Sequence, residues 1–156
     1  MGLRENMRSE QVSRLTLRVP VTASSDTPIR DAVKAMREKK LGCVIIIDEE
    51  QKPIGLFTER MLTQLLAQNP AVVEDKLRQH MAEPCPWVRL TDEIEDVMDA
   101  LTEKNIRFLA VVDDDGKLLG LTGQKGLMEY VAEHFPRLVM VQRIGGSPST
   151  TNREGA

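Results

Sequence analysis

The chain has 156 residues, with 21 basic and 24 acidic side chains and a formal net charge of −3. This balance, without any run of five like charges, argues against a nucleic-acid-binding surface. The longest apolar run, residues 41–47, is about a third of the length needed to cross a membrane. Charged residues interrupt the first ten positions, so no signal peptide is indicated. We therefore expect a cytoplasmic protein with neither a nucleic-acid nor a membrane partner.

The first predicted helix follows a short lead-in strand near residues 19–23. Pro28 suits a first helical turn, and the next apolar residues recur at the i, i+3, i+4, i+7 spacing of an amphipathic helix. These four residues are Ile29, Ala32, Val33 and Met36.

A hairpin and a second helix are predicted after this first helix. The apolar, β-branched run at 43–47 is typical of a strand covered on both faces. The acidic stretch DEEQK at 48–52 and a second run at 53–57 complete a strand, turn, strand pattern. A helix over 59–68 follows, so the order is α-β-β-α.

The same order recurs 65 residues later. Without a gap, residues 24–67 align with residues 89–132, and 11 of the 44 pairs are identical. The second lead-in strand is predicted at 87–89, and the second unit has its first helix from Ile94. Its remaining elements are strands at 108–112 and 118–122, then a helix at 124–134.

These two stretches resemble tandem cystathionine-β-synthase (CBS) domains. The resemblance rests on GCVIIIDEEQKPIGLFTERML in the first and on RFLAVVDDDGKLLGLTGQKGL in the second. It implies an α/β fold in which two α-β-β-α repeats pack sheet to sheet with pseudo-twofold symmetry, an arrangement called a Bateman module. We expect repeat 1 at 13–70, repeat 2 at 71–135, a short extension at 136–144 and a disordered tail at 145–156.

The resemblance also implies adenosine-containing ligands, such as AMP, ADP, ATP or another adenosyl compound, held in clefts between the repeats. The family signature is glycine, two apolar residues, Ser or Thr, two variable residues and Asp. Repeat 1 has Gly55 and Thr58 in place, but Met61 stands where the ribose-binding aspartate belongs. Repeat 2 has Gly123 at the hydroxyl position and Gly126 at the acid position.

A phosphate could still bind where Thr58 begins a helix, because free backbone amides there favour an anion. Arg60, in the first turn, could add a charged hydrogen bond, and Lys125 is its counterpart in repeat 2. The alternative is that Thr58 is only an N-cap and Arg60 a solvated surface residue. The candidate ligand-binding residues are Gly42, Cys43, Thr58, Arg60, Met61 and Lys125.

Several of these residues have a second interpretation. Gly123 and Gly126 either let a ligand or backbone approach closely or mark a decayed site. Cys43 and Cys85 fit inert thiols, with Cys43 in the core, and no metal-ligand spacing surrounds either of them. We expect no metal site and no catalytic residues, because no nucleophile and base converge.

Two functions remain open. The first is a stand-alone regulatory CBS pair that senses an adenosine-containing ligand and modulates a partner protein; the alternative is a ligand-free dimerisation or docking module. A homodimer is expected because the resemblance implies an apolar helical face. Residues on the helices that would form this face are Met36, Met61, Leu62, Leu65, Met98, Leu101, Leu127 and Met128. The weak helical stripe of residues 1–13 could lie across the disc-shaped pair of repeats or contact a second subunit.

Overall fold

The computed structural model describes residues 2–136, so most of the extension expected at 136–144 and all of the tail expected at 145–156 lie outside the described residues. The described helices are α1 (Leu3–Ser9), α2 (Ile29–Lys39), α3 (Glu59–Gln68), α4 (Ile94–Glu103) and α5 (Gln124–His134). The strands are β1 (Thr22–Ala23), β2 (Cys43–Ile47), β3 (Pro53–Thr58), β4 (Trp87–Arg89), β5 (Phe108–Val112) and β6 (Leu118–Gly123). Short 3-10 turns occupy Val12–Arg14, Pro70–Glu74 and Leu77–Gln79.

The strands form two three-stranded sheets of identical topology, ordered β1-β2-β3 and β4-β5-β6. In each sheet the first strand runs parallel to the second, and the second runs antiparallel to the third. The register is also equivalent, because Cys43 faces Thr58 in one sheet and Phe108 faces Gly123 in the other. The predicted elements and the repeated α-β-β-α order are confirmed.

The two acidic stretches close the hairpins. The Asp48 carboxylate accepts hydrogen bonds from the backbone N–H groups of Glu50 and Lys52, both at 2.9 Å. In repeat 2, Asp113 accepts from the corresponding two backbone groups at the same distance. An aspartate that bonds its own backbone a few residues on fixes a tight turn, so these residues hold the hairpins.

The sheets pack face to face and share a core. The β2 residues from Cys43 to Ile46 are at most 1% exposed, as a strand covered on both faces requires. Ala110 and Leu121 of the second sheet belong to the same buried cluster as β2 and β3. This contact between sheets confirms the packing that the resemblance implies.

The segment before the first strand of each repeat packs on the other repeat. These two lead-in segments are residues 3–14 and residues 70–79. The Ile94 N–H at the start of α4 donates to the Glu10 carbonyl oxygen at 2.9 Å. At the equivalent place, the Ile29 N–H at the start of α2 donates to the Asp75 carbonyl oxygen, also at 2.9 Å. The two repeats are therefore interlocked through reciprocal exchange of their lead-in segments.

The N-terminal segment accordingly lies across repeat 2 of its own chain. Met7 and Val12 are buried in the core of that repeat, and Leu3 packs against it. The Tyr130 hydroxyl on α5 donates to the Glu10 carboxylate at 2.9 Å. Burial is the larger cause and this hydrogen bond the second, and together they raise the pKa of Tyr130 to about 12. The sequence allowed this segment either to lie across the repeats of its own chain or to contact a second subunit, and the structure shows the first of these positions.

The outer surface of each repeat is formed by its two helices. Met36 and Leu101, which lie on those helices, are buried in the core and contribute nothing to an exposed face. Leu66 and Met128 are exposed there, the latter by 71%. Among the described residues, no helix combines the length and the apolar character that a membrane span needs.

Candidate ligand site between the repeats

The first corner of the site is the junction of β3 and α3. Thr58 is the last residue of β3 and the N-cap of α3, where its hydroxyl oxygen accepts the Met61 N–H at 3.2 Å. The Glu59 N–H is used as well, since it donates to the Gly42 carbonyl oxygen at 3.0 Å. The Thr58 hydroxyl hydrogen stays available to donate outwards. Thr58 is an N-cap, and the cap leaves a donor for a ligand.

A cavity of about 520 Å³ opens in front of this corner. Its volume lies within the range of small-molecule sites, roughly 300–1,000 Å³. Both repeats contribute to the wall, whose residues are Gly42, Leu56, Thr58, Glu59, Arg60, Met61, Thr63, Gln64, Ala82, Asn105, Ile106, Arg107 and Phe108. Repeat 2 therefore supplies four consecutive residues to a site whose helix corner belongs to repeat 1.

Two arginines line this cavity, one from each repeat. Arg60 lies in the first turn of α3, and Arg107 lies immediately before β5. Neither forms an ion pair among residues 2–136. Glu59 is the acidic residue of the wall, so the lining carries a net positive charge. A positive, partly enclosed wall beside a helix N-terminus suits a phosphate group.

The apolar part of the wall can cover a flat ring. Phe108 and Ile106 from repeat 2 line the cavity together with Leu56 and Met61 from repeat 1. Gly42 allows the Phe108 ring to approach, because a Cβ atom at position 42 would stand only 3.2 Å from the ring tip. Aromatic and thioether side chains adapt well to the faces of a heteroaromatic ring.

The structure brings together four of the six predicted site residues, namely Gly42, Thr58, Arg60 and Met61. It does not bring Cys43 to the cavity wall. The Cys43 side chain is 1% exposed and points into the core, and burial raises the pKa of its thiol to about 12. Burial likewise raises the pKa of the Cys85 thiol to about 12. Both thiols are protonated at neutral pH, as expected of inert core cysteines.

Lys125 lies at the second, pseudo-equivalent cleft, which measures about 20 Å³. That volume is close to the space of one water molecule. A Cβ atom at Gly123 would overlap the Arg107 carbonyl oxygen, and a Cβ at Gly126 would stand 2.7 Å from the Thr122 hydroxyl oxygen. The glycines of repeat 2 therefore serve close internal approach, the first of the two interpretations that the sequence allows.

Thr122 leaves one unusual feature in the closed cleft. Its side chain is 4% exposed, and its hydroxyl oxygen has no hydrogen-bond partner among the described residues. The corresponding residue of repeat 1 is Phe57, which is fully buried. A buried hydroxyl without a hydrogen-bond partner costs free energy. Phe57 has no polar side-chain atom, so the equivalent position in repeat 1 carries no such cost.

The sequence missed the contribution of residues 105–108 to the cavity. Arg107 and Phe108 are the repeat-2 counterparts of Gly42 and Cys43, since they lie 65 positions further along the chain. Applying the repeat shift to these two candidates would have drawn attention to both residues. The repeat shift alone does not show that Arg107 and Phe108 of repeat 2 line the cavity at the helix corner of repeat 1.

The CBS domain family model matches two segments of this chain, residues 12–68 and 73–133. An uncharacterized protein of Methanopyrus kandleri is 33% identical over 125 residues, which is 79% of this chain and 63% of that protein. The chain thus spans less than two thirds of that relative's length. The inosine-5′-monophosphate dehydrogenase of Nitrosopumilus maritimus is 28% identical over 123 residues, but only 25% of the enzyme is covered.

Two solved structures show the same fold. The CBS domain pair of protein MJ0100, in complex with 5′-methylthioadenosine and S-adenosyl-L-methionine, has a TM-score of 0.71 at 22% identity and covers 80% of this chain and 97% of that one. A CBS domain protein of Pyrobaculum aerophilum complexed with AMP also has a TM-score of 0.71, at 20% identity, and covers 85% of this chain and 97% of that one.

Proposed function

This chain belongs to the CBS domain family, and we propose that it is a regulatory CBS pair that senses an adenosine-containing ligand in the 520 Å³ cavity between its repeats. The observation that carries the proposal is the convergence of Thr58, Arg60 and Arg107 on one cavity wall. Ligand occupancy would bridge the two repeats, so it would change how a partner protein meets the module.

A phosphate is the group that this wall recognises best. The Thr58 hydroxyl supplies a neutral donor, while Arg60 and Arg107 supply charged ones. The dipole of α3 adds to the attraction at this end, where the Glu59 and Met61 N–H groups are already bonded within the protein. Related domain pairs bind AMP in one case and S-adenosyl-L-methionine in another. A positive wall disfavours the cationic sulfonium of the latter, so AMP, ADP or ATP is the preferred class here.

The ribose would be held without the carboxylate that family members use. Met61 occupies that place and cannot accept two hydroxyl hydrogen bonds. The side-chain amides of Gln64 and Asn105 also line the cavity, and each offers an acceptor and donors. Ribose recognition by neutral amides is weaker than by a carboxylate, so we expect modest affinity.

A specific observation favours the alternative of a ligand-free dimerisation or docking module. One cleft is nearly closed, and neither repeat has an acid at the ribose position, which Met61 and Gly126 occupy. In this alternative the open cavity is a remnant and the surface helices are the functional part. Ligand binding by the purified protein separates the two functions.

A thermal-shift screen of the 156-residue chain is the direct test. AMP, ADP, ATP, NAD, S-adenosylmethionine and cyclic dinucleotides would each be added at increasing concentration. A ligand present at 100 times its dissociation constant adds about 2.7 kcal/mol to the free energy of unfolding. The Lys125→Ala variant should keep the shift, because Lys125 lies at the closed cleft. Absence of any shift at millimolar ligand would favour the assembly module.

We also propose that the protein is a homodimer acting on a separate partner protein. Exposed apolar side chains such as Leu66 and Met128 on the outer helices motivate this proposal, because a twofold interface would bury them. Light scattering at micromolar concentration should show a particle of about twice 17.5 kDa. A single species at the monomer mass would contradict the dimer while leaving ligand binding to the screen.

A further inference from the structure

The cavity of about 520 Å³ between the repeats offers few acceptors for the free hydroxyl groups of a ribose. In dinucleotide-binding folds a carboxylate is the group that accepts a hydrogen bond from such a hydroxyl. Among the described residues that line the cavity, Glu59 has the only carboxylate. Its Oε2 atom lies 3.5 Å from the point where a Cβ atom of Gly42 would stand, so this carboxylate is turned towards the start of β2.

After Glu59, the part of the wall that α3 supplies is basic or neutral. Arg60 and Gln64 stand at i and i+4, so they lie on the same face of the helix. Met61, which follows Arg60, lines the cavity as well, and its thioether is only a weak acceptor. A ribose beside these three residues would therefore meet a guanidinium and an amide but no carboxylate.

The wall has positive charge to spare for a second anionic group. Arg60 and Arg107 line it, and neither forms an ion pair among residues 2–136. One phosphate is served by the Thr58 hydroxyl, the dipole of α3 and one of these guanidinium groups. The other guanidinium is then available to a second anionic group on the same ligand.

We propose that the adenosine ligand of this cavity carries a phosphate on its ribose, at the 2′ or the 3′ oxygen, besides its 5′-phosphate. Esterification replaces a hydroxyl donor by an anionic acceptor, which matches the guanidinium and amide donors of the wall. The same exchange distinguishes dinucleotide sites, in which a carboxylate selects the free ribose and an arginine accommodates the ribose phosphate. This inference rests on the proposed function and names the ligand class within it.

Isomeric nucleotides provide the test. ADP, adenosine 2′,5′-bisphosphate and adenosine 3′,5′-bisphosphate contain the same atoms and differ only in where the second phosphate is attached. Calorimetry would measure the Kd of each, and of AMP, with the 156-residue chain. We expect one of the two bisphosphates to bind about tenfold or more tightly than ADP, the scale of one hydrogen bond to a charged group. The closed cleft of about 20 Å³ has no room for a nucleotide, so it does not contribute.

The results separate the ribose phosphate from the proposed function. If AMP and ADP bind but neither bisphosphate binds more tightly than ADP, the ribose phosphate is wrong and the adenosine sensor stands. If none of the four nucleotides binds at millimolar concentration, both are wrong. A preference for one bisphosphate supports the ribose phosphate and also identifies the oxygen that carries it.

Position 61 provides a matched pair of variants. Met61→Asp adds a carboxylate next to Arg60, whereas Met61→Asn adds a side chain of nearly the same shape without the charge. The carboxylate should weaken binding of the preferred bisphosphate about tenfold by repulsion, and should not weaken binding of AMP, whose free ribose hydroxyls can donate to it. Met61→Asn should keep the bisphosphate ahead of ADP, and circular dichroism would confirm that both variants are folded. A Met61→Asp variant that prefers the bisphosphate to ADP by the parent's ratio would contradict the ribose phosphate.

Glu59→Gln tests the remaining carboxylate of the wall. If Glu59 held the free ribose hydroxyls, its loss would weaken AMP binding about tenfold, and the parent would prefer ADP to both bisphosphates. A ligand with a ribose phosphate gives the opposite order in the parent. Glu59→Gln should then bind the preferred bisphosphate at least as tightly as the parent does, because the wall becomes more positive. A loss of about tenfold in AMP binding by Glu59→Gln, together with a parent that prefers ADP, would overturn the ribose phosphate.

Discussion

The two clefts lie at equivalent strand-to-helix corners, β3/α3 and β6/α5, yet one encloses about 520 Å³ and the other about 20 Å³. At the first corner Thr58 caps the helix, and Met61 contributes to the wall. At the second corner Gly123 and Gly126 carry no side chains, and the space is occupied by the Arg107 backbone and the Thr122 hydroxyl. Smaller residues at a site do not by themselves make a larger cavity, because neighbouring groups pack into the space.

The two corners also differ in how the helix begins. Both clefts are lined by basic residues: Arg60 and Arg107 line the first, and Arg18, Arg107 and Lys125 line the second. Only the first has a capped helix N-terminus with a free hydroxyl hydrogen, because Gly123 provides no side-chain cap at the second. One repeat therefore offers a binding corner and the other offers a structural contact.

The largest effect is expected from adding a methyl group at the closed corner. Gly123→Ala would drive its Cβ into the Arg107 carbonyl oxygen, a backbone atom within the start of a buried hairpin. We expect a loss of about 3 kcal/mol in the free energy of unfolding, the upper range for overpacking. Urea unfolding followed by circular dichroism measures it through the midpoint, provided that the slope is unchanged.

Gly42→Ala is the matched control in the open cleft. Its Cβ would stand 3.2 Å from the Phe108 ring tip and 3.5 Å from the Glu59 carboxylate, both flexible side-chain ends. These groups can move, so we expect a loss below about 1 kcal/mol. Equal losses in the two variants would contradict the view that backbone packing closes the second cleft.

The second largest effect concerns ligand affinity. Arg60→Ala should weaken binding of a phosphate-bearing ligand by about 1.5–3 kcal/mol, the range of a hydrogen bond to a charged group. Lys125→Ala should change it far less, because Lys125 lines the closed cleft. Calorimetry with the nucleotide that gives the largest thermal shift measures both. Equal losses from the two substitutions would refute the proposed asymmetry.

The repeat and its elements could be predicted from the sequence because they depend on local periodicity. The stripe beginning at Ile29 and the hairpin aspartates Asp48 and Asp113 are readable one segment at a time. Only the repeat-1 side of the cavity could be predicted from the sequence. Thr58 and Arg60 follow from a local motif, whereas Arg107 joins them only through the packing of two sheets, which no local pattern encodes.

The exchange of lead-in segments was beyond sequence reasoning for the same reason. Residues around Met7 show a weak apolar stripe, but the stripe does not say which surface it covers. The structure places it on α4, with Arg8 beside Glu95.

A smaller effect is expected at the cap of the open corner. Thr58→Ala removes the acceptor for the Met61 N–H and should cost about 1 kcal/mol of stability. It should also lower nucleotide affinity by about 1 kcal/mol through the lost hydroxyl donor. Thr58→Ser keeps the hydroxyl and should keep both quantities near the parent's. A stability loss without any loss of affinity would mean that Thr58 is an N-cap alone.

The smallest effect is a gain, and it tests the missing acid of the open cleft. Met61→Asp restores the aspartate of the CBS signature in the first turn of α3, where the helix N-terminus favours negative charge. We expect binding to tighten by only about 0.5–1 kcal/mol, because the carboxylate must lose part of its hydration. The variant without ligand should be less stable than the parent, since Met61 packs against the core.

Calorimetry with AMP and with 2′,3′-dideoxy-AMP tests whether the gain comes from the ribose hydroxyls, because it should disappear when those hydroxyls are absent. A gain that persists with the dideoxy compound, or a loss with both, would show that position 61 does not face the ribose and that the ligand lies differently in the cavity.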